Sequence, residues 1–256
     1  MTILEISNVS KHFGGLKALE SCSTSIDEGS IHSIIGPNGA GKTTLFNCVT
    51  GLGPATSGEI AFLGRTITRE KPHRITPMGL ARTFQNIRLF GEMTVLENVV
   101  VGMHAHLRSG VLGAVADLPS TRREEVNAGR EAERLIEFVG LDVSPTQWAR
   151  NLSYGDQRRL EIARAMAARP RLLLLDEPAA GMNPQETIRL MQLVRDIRDA
   201  SVTVLLIEHD MKVVMGISDR VSVLDHGLKI AEGTPEQVRT NSKVIEAFLG
   251  RDEEAA

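Results

Sequence analysis

Gly36-Pro37-Asn38-Gly39-Ala40-Gly41-Lys42-Thr43 sets a lysine and a hydroxyl directly behind a glycine-rich turn, a spacing suited to holding phosphate. Glycines let backbone N–H groups turn inward on phosphate oxygens, and a helix opening at the end of such a loop points the positive end of its dipole at the anion. Both flanks supply the required context, with strand-like Ile31–Ile35 before the loop and helix-compatible Thr44-Leu45-Phe46-Asn47 after it. In that frame Lys42 bridges the β- and γ-phosphates of a nucleoside triphosphate, and the Thr43 hydroxyl ligates magnesium. Taken alone, the loop fits a triphosphatase and a kinase equally well.

A second group with chemical potential is Leu172-Leu173-Leu174-Leu175-Asp176-Glu177, an apolar run that ends in adjacent carboxylates. A buried strand delivers its carboxyl end to the edge of an open α/β sheet, where ligands bind. There Asp176 suits magnesium, directly or through water, and Glu177 suits a general base or a group that orients an attacking water. An acidic turn after a core strand is the plainer alternative. Farther upstream, Asn151-Leu152-Ser153-Tyr154-Gly155-Asp156-Gln157 opens a long helix, so that Ser153 and Gly155 present a hydroxyl and an N–H at its N-terminus. That is a second phosphate-binding feature in one chain, although an ordinary N-cap explains it locally.

The elements that must position these groups are legible as alternating patterns. Residues 4–9, Ile26-Asp27-Glu28-Gly29, Ile31–Ile35 and residues 58–62 alternate short β-like runs with turn signals and read as strands feeding a sheet. Residues 95–139 change character, with Ala132, Leu135, Ile136 and Val139 at helical spacing after a charged stretch, and predict a helical lobe. The almost wholly apolar runs Leu172–Asp176 and 202–207, separated by a helical stretch over 186–200, are the pattern of parallel strands buried on both faces. The core is therefore expected to be α/β. Thr234-Pro235-Glu236-Gln237 is a capping box that predicts a short terminal helix.

Composition narrows the function. The 256 residues carry 29 basic and 32 acidic side chains, a formal charge of −3, without the basic excess of a surface that tracks nucleic acid. Cys22 and Cys48 are too few for a disulfide framework and are expected as reduced, buried thiols. The opening residues show no targeting segment, and the longest apolar stretch near the centre falls far short of the roughly 20 residues that span a bilayer. Any spanning helices would then belong to other chains. His104 and His106, two apart, do not face one ligand on a helix, so no metal site is expected there. Arg158, Arg159, Arg164 and Arg169 read as the solvated face of their helix.

Taken in order, these motifs resemble the ATP-binding cassette (ABC) family over nearly the whole chain: the phosphate loop, Gln85 in Thr83-Phe84-Gln85-Asn86, the signature at 152–157, the strand ending in Asp176 and Glu177, and His209 in Ile207-Glu208-His209-Asp210. The resemblance implies a P-loop, RecA-like core sheet with an antiparallel β subdomain and an inserted α-helical subdomain. One domain over 1–250 is implied, with core 1–87 and 156–232, helical subdomain 88–155, a C-terminal helix in 233–250 and a tail over 251–256. It also implies ATP and Mg2+ as cofactors. Phe13 would stack on adenine; Gly36, Asn38, Gly39, Ala40, Gly41, Lys42, Thr43 and Thr44 would hold the phosphates. Thr43, Gln85 and Asp176 would serve magnesium, with Glu177, His209 and Gln85 catalytic. Ser153, Gly155 and Gln157 would bind the γ-phosphate held by a partner cassette. Tyr154 and Asn183 depart from the usual glycine and aspartate.

Stretches such as Ala81-Arg82-Thr83-Phe84-Gln85-Asn86-Ile87-Arg88-Leu89-Phe90 and Glu208-His209-Asp210-Met211-Lys212 resemble the branched-chain amino acid importer branch, in which this chain would be the first of two ATPase subunits. Related urea, amide and lipopolysaccharide systems share much of this wording. The implied partners are a second cassette, as homodimer or paired subunit, two transmembrane permeases, whose coupling helix the lobe after Gln85 would receive, and indirectly a periplasmic or extracellular solute-binding protein. The implied place is the cytoplasmic face of the membrane, as a peripheral subunit. A soluble, non-transport ABC ATPase is the rival from another class; such proteins usually carry a coiled-coil insertion or two cassettes, and neither is present. A kinase would leave the signature turn unexplained.

Overall fold

The computed structural model describes residues 1–105 and 119–249, so His106 and the tail from Arg251 lie outside the described residues. From the N-terminus, strands β1 (Thr2–Phe13) and β2 (Leu16–Asp27) form a hairpin, followed by β3 (Ile31–Ile35) and helix α1 (Lys42–Val49). Next come β4 (Ser57–Phe62), β5 (Arg65–Thr66), α2 (Pro72–Ile75) and β6 (Leu80–Arg82). Helices α3 (Val95–Gly102), α4 (Pro119–Phe138) and α5 (Tyr154–Ala167) follow. The chain then alternates through β7 (Leu172–Asp176), α6 (Pro184–Asp199), β8 (Thr203–Ile207), α7 (Met211–Ile217), β9 (Arg220–Asp225) and β10 (Leu228–Gly233). It closes with α8 (Pro235–Arg239) and α9 (Ser242–Leu249).

These elements divide into two compact units, Met1–Ile75 with Arg171–Ala256, and Thr76–Pro170. The dividing lines differ from those drawn on the sequence, because the second unit takes in the Gln85 segment and the whole of α5. The reason is packing: α5 buries Leu160, Ile162, Ala163 and Ala167, and it lies against α3 and α4.

In the first unit every residue of β3, β7 and β8 is buried, as continuous apolar runs require. Strands β10, β9, β3, β8 and β7 lie side by side in that order. β3 pairs in parallel with β8 and β9, and β7 with β8. Parallel neighbours need crossovers, and α6 and α7 provide them. A separate antiparallel sheet has the order β2-β1-β4-β5. Helix α6 starts at Asn183, whose side chain accepts from the Gln185 and Glu186 amides, both at 3.0 Å, while Glu186 bonds back to the Asn183 amide at 2.9 Å. Thr234 and Gln237 make the same reciprocal cap for α8, as their spacing predicts. Behind β9, Val221 and Val223 pack with Ile35, Val214, Val238 and Val244 into one apolar cluster.

In the second unit α3 opens on a reciprocal cap between Thr94 and Glu97. At its other end Gly102 lies so close to α5 that a Cβ there would sit 2.2 Å from the Arg164 carbonyl oxygen. One expectation fails in this unit. Arg158, read as part of a solvated face, is 0% exposed. It occupies the same helix face as Glu161, one turn on, and that face is turned into the protein. Arg169 is exposed, whereas Arg159 and Arg164 are partly covered.

Candidate functional site

β3 runs straight into the phosphate loop, and the loop has backbone that only glycine adopts freely. Gly36 has φ 149°, and a Cβ on it would lie 2.0 Å from the Leu224 carbonyl oxygen. Gly41 has φ 100°, with Ala18 O 2.5 Å from the same imagined atom. Neighbouring chain therefore closes round the loop at both positions. The turn between β9 and β10 braces it further: Gly227 donates to Ala40 O at 3.1 Å, and Gly227 O accepts from the Glu20 amide at 2.9 Å.

Helix α1 begins at Lys42, so its N-terminal amides and the positive end of its dipole face the loop. Lys42 is buried, and its ammonium donates to Gly36 O at 2.6 Å and Pro37 O at 3.0 Å. The charge is thus held inside the hollow of the loop. Thr43 stays exposed and Thr44 partly so, leaving the Thr43 hydroxyl open to a ligand.

Register places the carboxylates. Asp176 pairs with Ile207, and Ile207 with Ile34, so the ends of β7, β8 and β3 are level at one edge of the sheet. Asp176 is buried there. Glu177 follows with φ 47° and its amide bonded to Ile207 O at 2.9 Å, a left-handed turn that swings the side chain away from the strand direction. His209, after β8, has Nδ1 3.8 Å from Glu177 Oε2, and its side chain is 59% exposed against 16% for Glu177. Phosphate loop, Asp176, Glu177 and His209 all belong to the first unit. Phe13, at the end of β1, is 56% exposed with the Lys11 ammonium 5.0 Å from its ring centroid, so it is not a core residue.

These groups fit a magnesium–nucleoside triphosphate. The loop and the start of α1 set backbone amides round the Lys42 ammonium, on glycine backbone that has no room for a Cβ at Gly36 or Gly41. Magnesium keeps several waters and takes one or two protein ligands beside phosphate oxygens, which matches a hydroxyl and one carboxylate better than a dedicated cage.

Gln85, Ser153, Gly155 and Gln157 belong to the second unit. Ser153 caps α5, its Oγ accepting from the Asp156 amide at 3.2 Å and donating to Asp156 Oδ2 at 2.7 Å. Ser153 and Tyr154 are exposed while Gly155 is buried. Gln157 turns back, its amide nitrogen 3.0 Å from Leu152 O.

Sequence reasoning assigned no part to Glu208, which proves to hold the site's turns. One oxygen accepts from the Ala179 amide at 2.8 Å, beyond Glu177, and the other from the His209 amide at 3.1 Å. It is fully buried, and burial pushes its carboxyl above the usual range. A carboxylate placed directly after an apolar strand was the available signal. Gly227 was missed as well, because its contact with the loop joins residues far apart in sequence.

Residues 19–180 match the family model described as ABC transporter, and residues 229–254 match one described as branched-chain amino acid ATP-binding cassette transporter. The chain is 49% identical over 249 residues to the high-affinity branched-chain amino acid transport ATP-binding protein BraF of Pseudomonas aeruginosa, covering 97% of this chain and 98% of that protein. Among solved structures, a nucleotide-free ATP-binding cassette from an ABC transporter is similar with TM-score 0.85 and 33% identity, over 97% of this chain and 99% of that one. A bacterial ABC transporter cassette solved as a dimer is similar with TM-score 0.77 and 25% identity, over 91% and 98% of the two chains.

Proposed function

The chain belongs to the ABC transporter family of ATP-hydrolysing cassettes, and from that premise we propose that it powers an importer of branched-chain amino acids, at the cytoplasmic face of the membrane, together with permease subunits and a second cassette. The observation that carries this reading is the likeness to BraF along almost the entire chain, with the phosphate loop and both carboxylates in place. No described helix is long and apolar enough to cross a membrane. In this reading other chains supply the spanning helices, and a binding protein and the permeases recognise the amino acid.

Thr43 and Asp176 would hold magnesium, which when bound neutralises charge developing on the transferring phosphoryl group. Lys42, bonded here to two loop carbonyls, would exchange them for phosphate oxygens. Glu177 orients the attacking water and accepts its proton, and His209 stands beside it to meet the γ-phosphate. Gln85 senses magnesium and the attacking water, Phe13 offers its exposed ring to adenine, and Ser153 and Gly155 receive the γ-phosphate held by the partner cassette.

Uptake of leucine, isoleucine and valine tests the substrate. Deleting the gene is expected to abolish high-affinity uptake, and the intact chain to restore it where Lys42→Ala does not. Unchanged uptake of all three, with a defect in urea or envelope lipid instead, would replace the amino acid reading.

A further inference from the structure

Arg158 has the largest side chain among the fully buried residues, and it carries a charge. Taking a guanidinium out of water is costly unless its donors are met. Nη1 donates to Phe84 O at 2.7 Å and to Glu161 Oε2 at 2.8 Å. Nη2 donates to Gln85 O at 2.8 Å and lies 3.4 Å from the Tyr154 hydroxyl. The buried Nε has no hydrogen-bond partner. Glu161 completes the grip, its Oε1 accepting from the Phe84 amide at 3.4 Å and the Arg88 amide at 3.3 Å. Both ions of one buried pair therefore hold the same short segment, and Phe84 is held by its carbonyl and its amide at once. The Arg82 and Arg88 guanidinium groups lie over the Phe84 ring at 5.2 and 4.3 Å from its centroid.

Apolar residues of similar volume would avoid the orphaned Nε, but they would leave the Phe84 and Gln85 carbonyls and the Phe84 and Arg88 amides without these partners. What the pair adds is direction: planar, forked donors specify where two successive carbonyls must sit. Tyr154, standing where the family usually has glycine, extends the same network to the residue next to Ser153.

We propose that Arg158 and Glu161 are positioning residues for Gln85, fixing its backbone to the helix that begins at the signature turn. This rests on the reading above in which Gln85 senses magnesium and the attacking water. Neither residue touches the nucleotide, and both act through the segment they hold.

The test replaces the pair by apolar volume, Arg158→Met with Glu161→Leu, and separately uses Arg158→Lys, which keeps the charge beside Glu161 but cannot span two carbonyls. Two readouts are needed. In the nucleotide-free chain, amide exchange at Phe84 and Arg88 should rise at least about tenfold while α5 keeps its protection, because opening there becomes local. In the assembled transporter, ATP turnover should fall about tenfold to a hundredfold with KM for ATP nearly unchanged, since small misplacement of a reacting group has effects of that order. Added to Gln85→Ala, the pair replacement should cost no further turnover, as expected of residues acting in series. Arg158→Lys should show the same pattern, weaker, and it carries the test if the double variant does not fold. Additive losses with Gln85→Ala, or unchanged exchange at Phe84 and Arg88, would overturn the positioning role. Full turnover in Gln85→Ala alone would instead remove the role of Gln85 itself, and the coupling with it.

Discussion

His32 lies within the central strand β3, fully buried, with Nε2 2.9 Å from Ser222 Oγ. Burial drives its imidazole down to about 4 from an ordinary 6.5, against a smaller opposing pull from Glu232. The folded protein therefore holds the ring neutral, whereas the unfolded chain binds a proton as pH falls below about 6.5. Stability contributed by this group is lost between those two values, and going from pH 7 to pH 5 should cost about 2 kcal/mol. Denaturant unfolding of the parent and of His32→Gln at both pH values checks this, and equal losses in the two proteins would assign the effect elsewhere. At this scale the sequence spoke unevenly. Asp176 and Glu177 were legible because an apolar strand ending in carboxylates places them by itself. Arg158 was not, because a charged side chain on a helix is normally solvated, and only its partner Glu161 amid Leu160, Ile162 and Ala163 hinted otherwise.

Elements were legible where their signals are local. Continuous apolar runs marked β3, β7 and β8, and reciprocal caps marked the start of α8 and, unremarked on the sequence, of α3 and α6. Unit boundaries were harder, because whether α5 belongs with the sheet or with α3 and α4 is decided by packing between distant segments. Gly102 makes that packing testable. In Gly102→Ala the new methyl meets the Arg164 carbonyl oxygen and the Ala167 side chain, and the helices must part. Overpacking of this kind costs about 1–3 kcal/mol, so thermal unfolding should begin several degrees lower. A melting curve identical to the parent's would mean that α3 and α5 are not held at that distance.

At the scale of the whole molecule, one chain carries a phosphate cradle in one unit and a capped, exposed serine at a helix N-terminus in the other. If that serine completes a site on another cassette, closure requires two chains. Glu177→Gln should bind ATP without cleaving it and accumulate as a closed dimer, while Ser153→Arg added to it should return monomers, both seen by light scattering with the natural partner cassette present if the chain does not pair with itself. Association that is independent of ATP, or untouched by the arginine, would sink the shared-site mechanism. The bracing of the phosphate loop by Gly227 has a consequence in time as well as in space. β3 is flanked by β8 and β9, and Ala40 is bonded to Gly227, 187 positions later in the chain. During synthesis the cradle's own residues leave the ribosome early and wait, lacking both neighbouring strands and their brace. A nascent chain halted before β8 has the whole phosphate-loop sequence but neither strand that flanks β3 nor the Gly227 brace, so ATP binding is expected only from chains halted well beyond that point.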